Sequence, residues 1–144
     1  MKEGIPMFKS STKLRVRYAE TDAMCIVHHS NYYVYFETAR EDFIQGGGAR
    51  YSEIEEAGIM MPLVETQCRY IQGAKYDDEL IIETTMKELT PAKVVLLYEV
   101  RRVKDGALIA KGKTIQAFVD SNTFKIINLK NKHPMLWEKL QSLQ

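Results

Sequence analysis

The chain has 144 residues, which is close to the usual size of one domain. Apolar residues make up 45% and charged residues 27%, so a disordered or fibrous chain is excluded. Twenty basic and nineteen acidic side chains leave a formal net charge of +1, which argues against a dedicated nucleic-acid binder. We therefore expect a single domain over residues 1–144.

The two cysteines, Cys25 and Cys68, form neither a C-x-x-C pair nor the framework of a disulfide-rich secreted domain, so we expect free thiols. Residues 1–11 contain charged side chains and no continuous apolar run, so they do not resemble a signal peptide. No stretch approaches the roughly 20 apolar residues of a membrane span. These features predict a cytoplasmic location and no membrane insertion.

The first predicted element is a strand over residues 12–19. Apolar and basic residues alternate there from Leu14 to Tyr18, which is typical of a strand with one buried face. Small, polar and histidine residues without periodicity follow. We interpret them as a loop leading into a helix, with Ser30 or Asn31 as its N-cap.

A long helix is predicted from Tyr32, because apolar residues recur from there at spacings of three and four. The glycines at positions 46–48 cost too much backbone entropy for a helix interior, so we expect the helix to end there. A second, shorter helix is predicted from Tyr51 to Ala57. Gly58 suits the left-handed position that follows a helix end.

The remainder of the chain consists mainly of predicted strands, over residues 60–70, 79–89, 92–103 and 107–120. The strongest turn signal is Asp105-Gly106, which favours a type I′ hairpin. We expect the four strands to form an antiparallel meander, followed by a short helix from near Pro134. The predicted fold class is α+β, with a five-stranded antiparallel sheet wrapped around the long helix.

Four titratable groups lie within ten residues just before the long helix: Glu20, Asp22, His28 and His29. The unpaired N–H groups of a helix N-terminus favour negative charge, so this segment could stabilise an oxyanion. The residues alone equally allow a surface loop with Asp22 as a cap or turn residue. A metal site is disfavoured, since adjacent histidines seldom converge on one ion and no further spaced ligands follow.

The same segment resembles the 4-hydroxybenzoyl-CoA thioesterase family of hotdog proteins, especially its acyl-CoA thioesterase branch with the Tol-Pal-associated enzymes. That branch shows Y-x-x-T-D-x-x-G-I-V-x-H-x-N-Y followed by F-E-x-A-R. The residues that match are Tyr18, Thr21, Asp22, Ile26, Val27, His29, Asn31, Tyr32, Phe36, Glu37, Ala39 and Arg40. The similarity extends to residues 62–65, 69–70, 76–80 and 118–120, and the predicted order of elements is that of a hotdog domain.

The resemblance implies an acyl-CoA thioesterase that releases a free acid and coenzyme A without a cofactor. It implies that Asp22 attacks the thioester carbonyl or activates a water. It also implies that the backbone N–H of His29 polarises the carbonyl, while the His29 side chain either supports catalysis or anchors the loop. The residues expected to bind substrate are Tyr18, Cys25, Ile26, Val27, Asn31, Tyr32 and Glu37.

Cys25 stands where the family has glycine, which often marks a special backbone angle or close approach of a ligand. An alternative hypothesis makes Cys25 the nucleophile with a histidine as its base. Glu37 could orient the Asp22 loop or pair with a neighbour on its helix. Glu65 is a second carboxylate that a subunit interface could bring to the site.

Hotdog proteins form dimers with sites between subunits, so a homodimer or homotetramer is expected. Residues 101–144 carry nine bases and three acids, and this basic C-terminal segment suits the phosphates of coenzyme A. Two alternatives stay open. One is a hotdog hydratase or dehydratase, and the other is a non-catalytic module that binds acyl-CoA or acyl-carrier protein.

Overall fold

The computed structural model describes residues 7–144. The helices are α1 (Asn31–Gly46), α2 (Tyr51–Glu56), α3 (Leu129–Lys132) and α4 (Pro134–Gln141). The strands are β1 (Ser10–Arg15), β2 (Ile59–Met60), β3 (Leu63–Tyr70), β4 (Glu79–Leu89), β5 (Lys93–Arg102), β6 (Leu108–Ala117) and β7 (Val119–Asp120). No helix in this part of the chain is both long and apolar enough to cross a membrane.

Five strands form one antiparallel sheet in the order β1-β4-β5-β6-β3, and β2 pairs with β7. Helix α1 packs on one face of the sheet, where the ring of Phe36 stacks on Tyr98 with centroids 4.5 Å apart. A Cβ at Gly112 of β6 would lie 2.3 Å from Cζ of Phe36. The absence of a side chain at Gly112 therefore allows the helix to approach the sheet this closely.

Alternate residues of the central strands face α1 and are buried, as the pleat of a strand requires. The largest fully buried side chains are Tyr98, Phe36, Phe43, Phe118, Ile44, Ile54, Ile59, Leu80, Ile82, Met86, Leu96 and Ile109. This core holds α1 in place on the sheet and so fixes where the helix begins.

The structure confirms the predicted α+β hotdog architecture and the positions of the predicted helices. Gly58 has a φ of 81°, which is the expected left-handed conformation. The first strand ends at Arg15 rather than at residue 19. The chain turns there because the side chain of Glu20 accepts a hydrogen bond from the N–H of Arg17, and a short 3-10 turn follows over Tyr18–Glu20.

The predicted meander of four strands is wrong in one respect. Strands β4, β5 and β6 are successive neighbours, but β3 pairs with β6 at the far edge of the sheet. The segment of residues 71–78, called loop 71–78 below, therefore connects an edge strand to a strand three places away. Two predicted strands are also interrupted, at residues 61–62 and at Phe118.

The Asp105-Gly106 connection is not the predicted type I′ turn. Such a turn needs a positive φ at both central residues, and of these two only Gly106 has one, of 71°. The connection is longer, and the N–H of Gly106 closes it by donating to the carbonyl oxygen of Arg102 at 2.8 Å.

Candidate active site

The loop between β1 and α1 is shaped by hydrogen bonds to its own backbone. The N–H of Asp22 donates to the carbonyl oxygen of Ile26, and the N–H of Cys25 to that of Asp22, both at 2.9 Å. Oδ1 of Asp22 accepts the N–H of Met24 at 2.8 Å. Within residues 7–144 no donor reaches the other carboxylate oxygen of Asp22, so that oxygen is available to a reacting molecule.

Cys25 adopts a φ of 65° at the tip of this loop, a conformation that glycine reaches without strain. The special backbone angle that the family glycine suggests is therefore present here. The residue is exposed and does not line the cleft described below. Cys25 and Cys68 are both free thiols.

Glu20 is buried at the start of the loop and holds it in place through hydrogen bonds. It was not predicted as a site residue. Its side chain is 7% exposed and accepts hydrogen bonds from the N–H of Arg17 at 2.8 Å and the hydroxyl of Tyr35 at 2.9 Å. Burial opposes ionisation, but these bonds and the Arg17 guanidinium outweigh it and lower the pKa of Glu20 below its usual 4.5. The carbonyl oxygen of Glu20 accepts the N–H of His28 and the Asn31 amide.

His29 lies just before α1, between two residues whose N–H groups are occupied. The N–H of His28 donates to the carbonyl oxygen of Glu20 at 2.8 Å, and that of Ser30 to Nδ1 of His28 at 3.3 Å. The N–H of His29 meets no acceptor in the part of the chain that the structure describes. It is a free donor at the positive end of a 16-residue helix, which suits a developing negative charge.

A cleft of about 200 Å³ opens beside this loop. It is lined by Asp22, Met24, Ile26, Val27, His29, Tyr32, Tyr70, Ile71, Gln72 and Gly73. The structure thus brings five predicted site residues together. Met24 and residues 70–73, which were not predicted as site residues, complete the wall.

Aromatic rings form one side of the cleft. The ring of Tyr70 meets His29 edge to face at 6.2 Å and Tyr32 at 5.5 Å, and its hydroxyl donates to the carbonyl oxygen of His29 at 3.2 Å. Burial raises the pKa of Tyr32 to about 12 and also raises that of Tyr70. Both phenols therefore stay protonated at neutral pH and act as walls and donors rather than as bases.

Four predicted binding residues lie outside the cleft lining. Tyr18 is 77% exposed and meets the ring of Tyr76 edge to face at 5.7 Å. The amide of Asn31 is bonded within the loop, and Cys25 is exposed and not among the lining residues. Glu37 lies exposed on α1 with no ion pair inside residues 7–144. Substrate binding by these four stays a prediction.

The positive charge of the basic C-terminal segment is partly neutralised by neighbouring acids, as at Arg102 and Lys132. Lys111 and Lys113 instead line a shallow groove together with Arg69. Contact of these cations with phosphates stays a prediction.

The fold and the cleft define a protein of the hotdog class. A family model described as the Thioesterase-like superfamily matches residues 16–139. The putative acyl-CoA thioesterase YneP of Bacillus subtilis is 32% identical over 128 residues, 89% of this chain and 92% of that protein. The 4-hydroxybenzoyl-CoA thioesterase of Pseudomonas sp. is 29% identical over 110 residues, which cover 72% of this chain and 78% of that protein.

A crystal structure of a DHNA-CoA thioesterase from Staphylococcus aureus is similar throughout, with a TM-score of 0.88 and 32% identity over 95% of this chain and 93% of that one. The chain therefore belongs to the Thioesterase-like superfamily. The resemblance to 4-hydroxybenzoyl-CoA thioesterases and the predicted class, a thioester hydrolase, are confirmed at that level. The predicted tie to the Tol-Pal-associated branch stays a prediction.

Proposed function

We propose that this protein hydrolyses the thioester of an acyl-CoA, with Asp22 and the His29 N–H as its catalytic groups. The observation that carries the proposal is that the half-exposed Asp22 and His29, whose backbone N–H has no acceptor within residues 7–144, line the same cleft. A thiol has a pKa of about 8.5 and leaves readily as thiolate, so the reaction mainly needs a base or nucleophile and a polarised carbonyl.

In the proposed reaction Asp22 takes a proton from a water whose oxygen attacks the thioester carbon. The carbonyl oxygen becomes an oxyanion and accepts a hydrogen bond from the N–H of His29. The carbon–sulfur bond then breaks, and the thiolate of coenzyme A leaves. In the alternative, a carboxylate oxygen of Asp22 attacks the thioester carbon, the carbon–sulfur bond breaks with departure of the coenzyme A thiolate, and water then cleaves the resulting mixed anhydride. A single turnover in ¹⁸O-labelled water that places label in the Asp22 carboxylate would support this alternative.

We infer that the acyl group is compact and aromatic. The rings of His29, Tyr32 and Tyr70 meet edge to face, so an aromatic acyl group could pack against them in the geometry that aromatic pairs prefer. One such pair contributes about 0.5–1.5 kcal/mol. A cleft of about 200 Å³ also favours a short or cyclic acyl group over a long chain. The name of the Pseudomonas relative, a 4-hydroxybenzoyl-CoA thioesterase, points the same way.

We also propose that the protein is a homodimer or homotetramer joined through β3. Every residue of β3 except Cys68 is exposed, and among residues 7–144 the strand pairs with β6 alone. Leu63, Val64 and Tyr70 are exposed apolar side chains on this open edge. Light scattering of Val64→Lys against the native protein tests the interface, and an unchanged mass would contradict it. A cytoplasmic location is part of the same proposal and is consistent with the two free thiols.

The main test is thiol release from a panel of benzoyl-, 4-hydroxybenzoyl-, hexanoyl- and palmitoyl-CoA. Asp22→Asn should lower kcat about 10²–10⁴-fold, the usual contribution of a catalytic base. Asp77→Asn is the matched control, because Asp77 is an exposed acid at a φ of 71°, where asparagine is well tolerated. If activity survives Asp22→Asn but disappears in Cys25→Ser, the nucleophile is Cys25 and the role proposed for Asp22 is wrong.

The binding-module alternative predicts a different result from the same panel. Coenzyme A would then bind, measured by calorimetry, while none of the four substrates releases thiol. If the native protein neither binds coenzyme A nor hydrolyses any of the four substrates, both candidate functions are contradicted.

A further inference from the structure

Arg102, the last residue of β5, contacts two separate segments, loop 71–78 and the β5–β6 turn. Its guanidinium donates to the carbonyl oxygen of Gly73 at 3.2 Å, to Oδ2 of Asp78 at 3.2 Å and to Oδ2 of Asp105 at 3.1 Å. The side chains of Arg102 and Asp78 are only 14% and 22% exposed. Salt screens such a half-buried pair less than it screens an ion pair on the surface. Arg102 therefore holds both the start and the end of loop 71–78.

The C-terminal end of loop 71–78 has further attachments. Oδ2 of Asp78 also accepts the N–H of Lys75 at 2.9 Å. The N–H of Asp77 donates to the carbonyl oxygen of Val16 at 3.0 Å, and the N–H of Val16 donates to that of Asp78 at 2.9 Å. These bonds join the C-terminal end of loop 71–78 to the chain after β1. Among the described residues, Arg102 is the one side-chain cation that contacts both this end and the start of the loop.

The start of loop 71–78 supports the loop that carries Asp22. The carbonyl oxygen of Ala74 accepts the N–H of Val27 at 2.8 Å. Gly73 lies so close that a Cβ there would be 2.7 Å from Cγ2 of Ile26. Ile26 in turn accepts the N–H of Asp22. A continuous series of contacts therefore runs from Arg102 through Gly73 and Ile26 to Asp22.

We propose that Arg102 is a positioning residue for the reaction at Asp22, and that Asp78 is the partner that fixes its guanidinium. The inference rests on the proposed hydrolysis and adds a group that holds loop 71–78 in place beside the Asp22 loop. A misplacement of about 1 Å far from the reacting atoms can lower a rate about 100-fold, so a remote arginine can control kcat.

Arg102→Lys tests the proposal because lysine keeps the charge but lacks the planar fork that reaches three oxygens. We expect kcat for the best substrate of the panel to fall at least about tenfold with KM within about threefold, as for a group that acts in the transition state. Asp78→Asn should reproduce this result. Asp105→Asn should keep kcat within about twofold of the native value, since it weakens only the bond between Arg102 and the β5–β6 turn and leaves the bonds to loop 71–78 intact.

Arg101→Lys is the matched control. Arg101 is adjacent and of the same type, but its guanidinium contacts Glu99 and the carbonyl oxygen of Gly106 instead of loop 71–78. We expect its kcat and KM to stay within about twofold of the native values. An equal fall in Arg101→Lys and Arg102→Lys would overturn the proposal.

Amide hydrogen exchange separates positioning from general destabilisation. In Arg102→Lys the amides of Val27 and Asp22 should exchange at least about tenfold faster, while that of Leu96 in β5 is unchanged. Faster exchange at all three, or unchanged exchange at Val27, would overturn the proposal even if kcat fell. If the native protein hydrolyses no acyl-CoA, the proposed function fails, and exchange at Val27 still decides whether Arg102 holds the loop.

Discussion

The central strands and the loop that carries Asp22 are stabilised in different ways. In β5, Val94, Leu96, Tyr98 and Val100 are buried against the rest of the core, and burial of such side chains contributes about 1.5–3 kcal/mol each. Within residues 21–31 only Val27 is buried, and the loop depends on single hydrogen bonds worth about 0.5–1.5 kcal/mol net. Substitutions in the sheet should therefore change stability, whereas those in the loop should change activity at little cost in stability.

The largest expected effect on stability is that of Phe36→Ala. Phe36 is fully buried between Gly112 and the ring of Tyr98, so its removal leaves a cavity and should lower the free energy of unfolding by about 3–5 kcal/mol. Denaturant titration measures this loss. Val34→Ala, two residues earlier on the exposed face of α1, should change it by less than about 0.5 kcal/mol. A cost below about 1 kcal/mol for Phe36→Ala would contradict the role given to the core.

Glu20→Gln should have the next largest effect and should depend on pH. The buried carboxylate accepts bonds from Arg17 and Tyr35, and such bonds to a charged group contribute about 1.5–3 kcal/mol. The pKa of Glu20 is lower in the folded than in the unfolded state, so its stabilisation is present above pH 4.5 and is lost as the pH falls through the folded pKa. The Tm difference between native protein and Glu20→Gln should therefore shrink on going from pH 7 to pH 3.

Glu37→Gln is the control for that experiment, because Glu37 is an exposed acid on α1. Its Tm should follow the native value at both pH values. A Tm difference for Glu20→Gln that grows on acidification would mean that the sign of the Glu20 shift is wrong.

Cys25→Gly tests the strain in the Asp22 loop. The left-handed conformation costs a residue other than glycine about 1–2 kcal/mol, so a glycine here relieves that strain. Glycine also loses more backbone entropy on folding, which offsets about 0.5–1 kcal/mol of the relief. We therefore expect Cys25→Gly to raise the free energy of unfolding by about 0.5–1 kcal/mol, with hydrolysis retained. Cys25→Ala keeps the strain and should show no gain in denaturant titration. Loss of hydrolysis in both variants would favour the nucleophile hypothesis for Cys25.

The half of the candidate site that is local in sequence could be predicted. Asp22, His29 and Tyr32 lie within eleven residues, so a motif and a helix start are enough to place them. Residues 70–73 reach the same cleft because β3 pairs with β6, and the alternation along a strand does not show which neighbour it pairs with.

Glu20 and Arg102 were missed for a related reason. The burial of Glu20 follows from a contact with Tyr35 in the next helix, and the three partners of Arg102 come from two connections, loop 71–78 and the β5–β6 turn. The bonds from Tyr35 to Glu20 and from Arg102 to Gly73 and Asp78 join residues 15 to 29 positions apart, a spacing that no local sequence pattern shows. By contrast, the left-handed Gly58 was predictable, because the end of a helix is determined by residues next to it.

Substitutions at Tyr70, where the edge strand meets the loop, should affect one class of substrate more than the fold. Tyr70→Phe removes the hydroxyl that donates to the carbonyl oxygen of His29 and should cost about 0.5–1.5 kcal/mol of stability, with KM for benzoyl-CoA nearly unchanged. Tyr70→Leu removes the ring as well, so it should raise that KM about 2–12-fold, the equivalent of 0.5–1.5 kcal/mol for one aromatic pair. KM for hexanoyl-CoA should be equal in the two variants. Equal rises for both substrates would mean that Tyr70 shapes the cleft without selecting an aromatic acyl group.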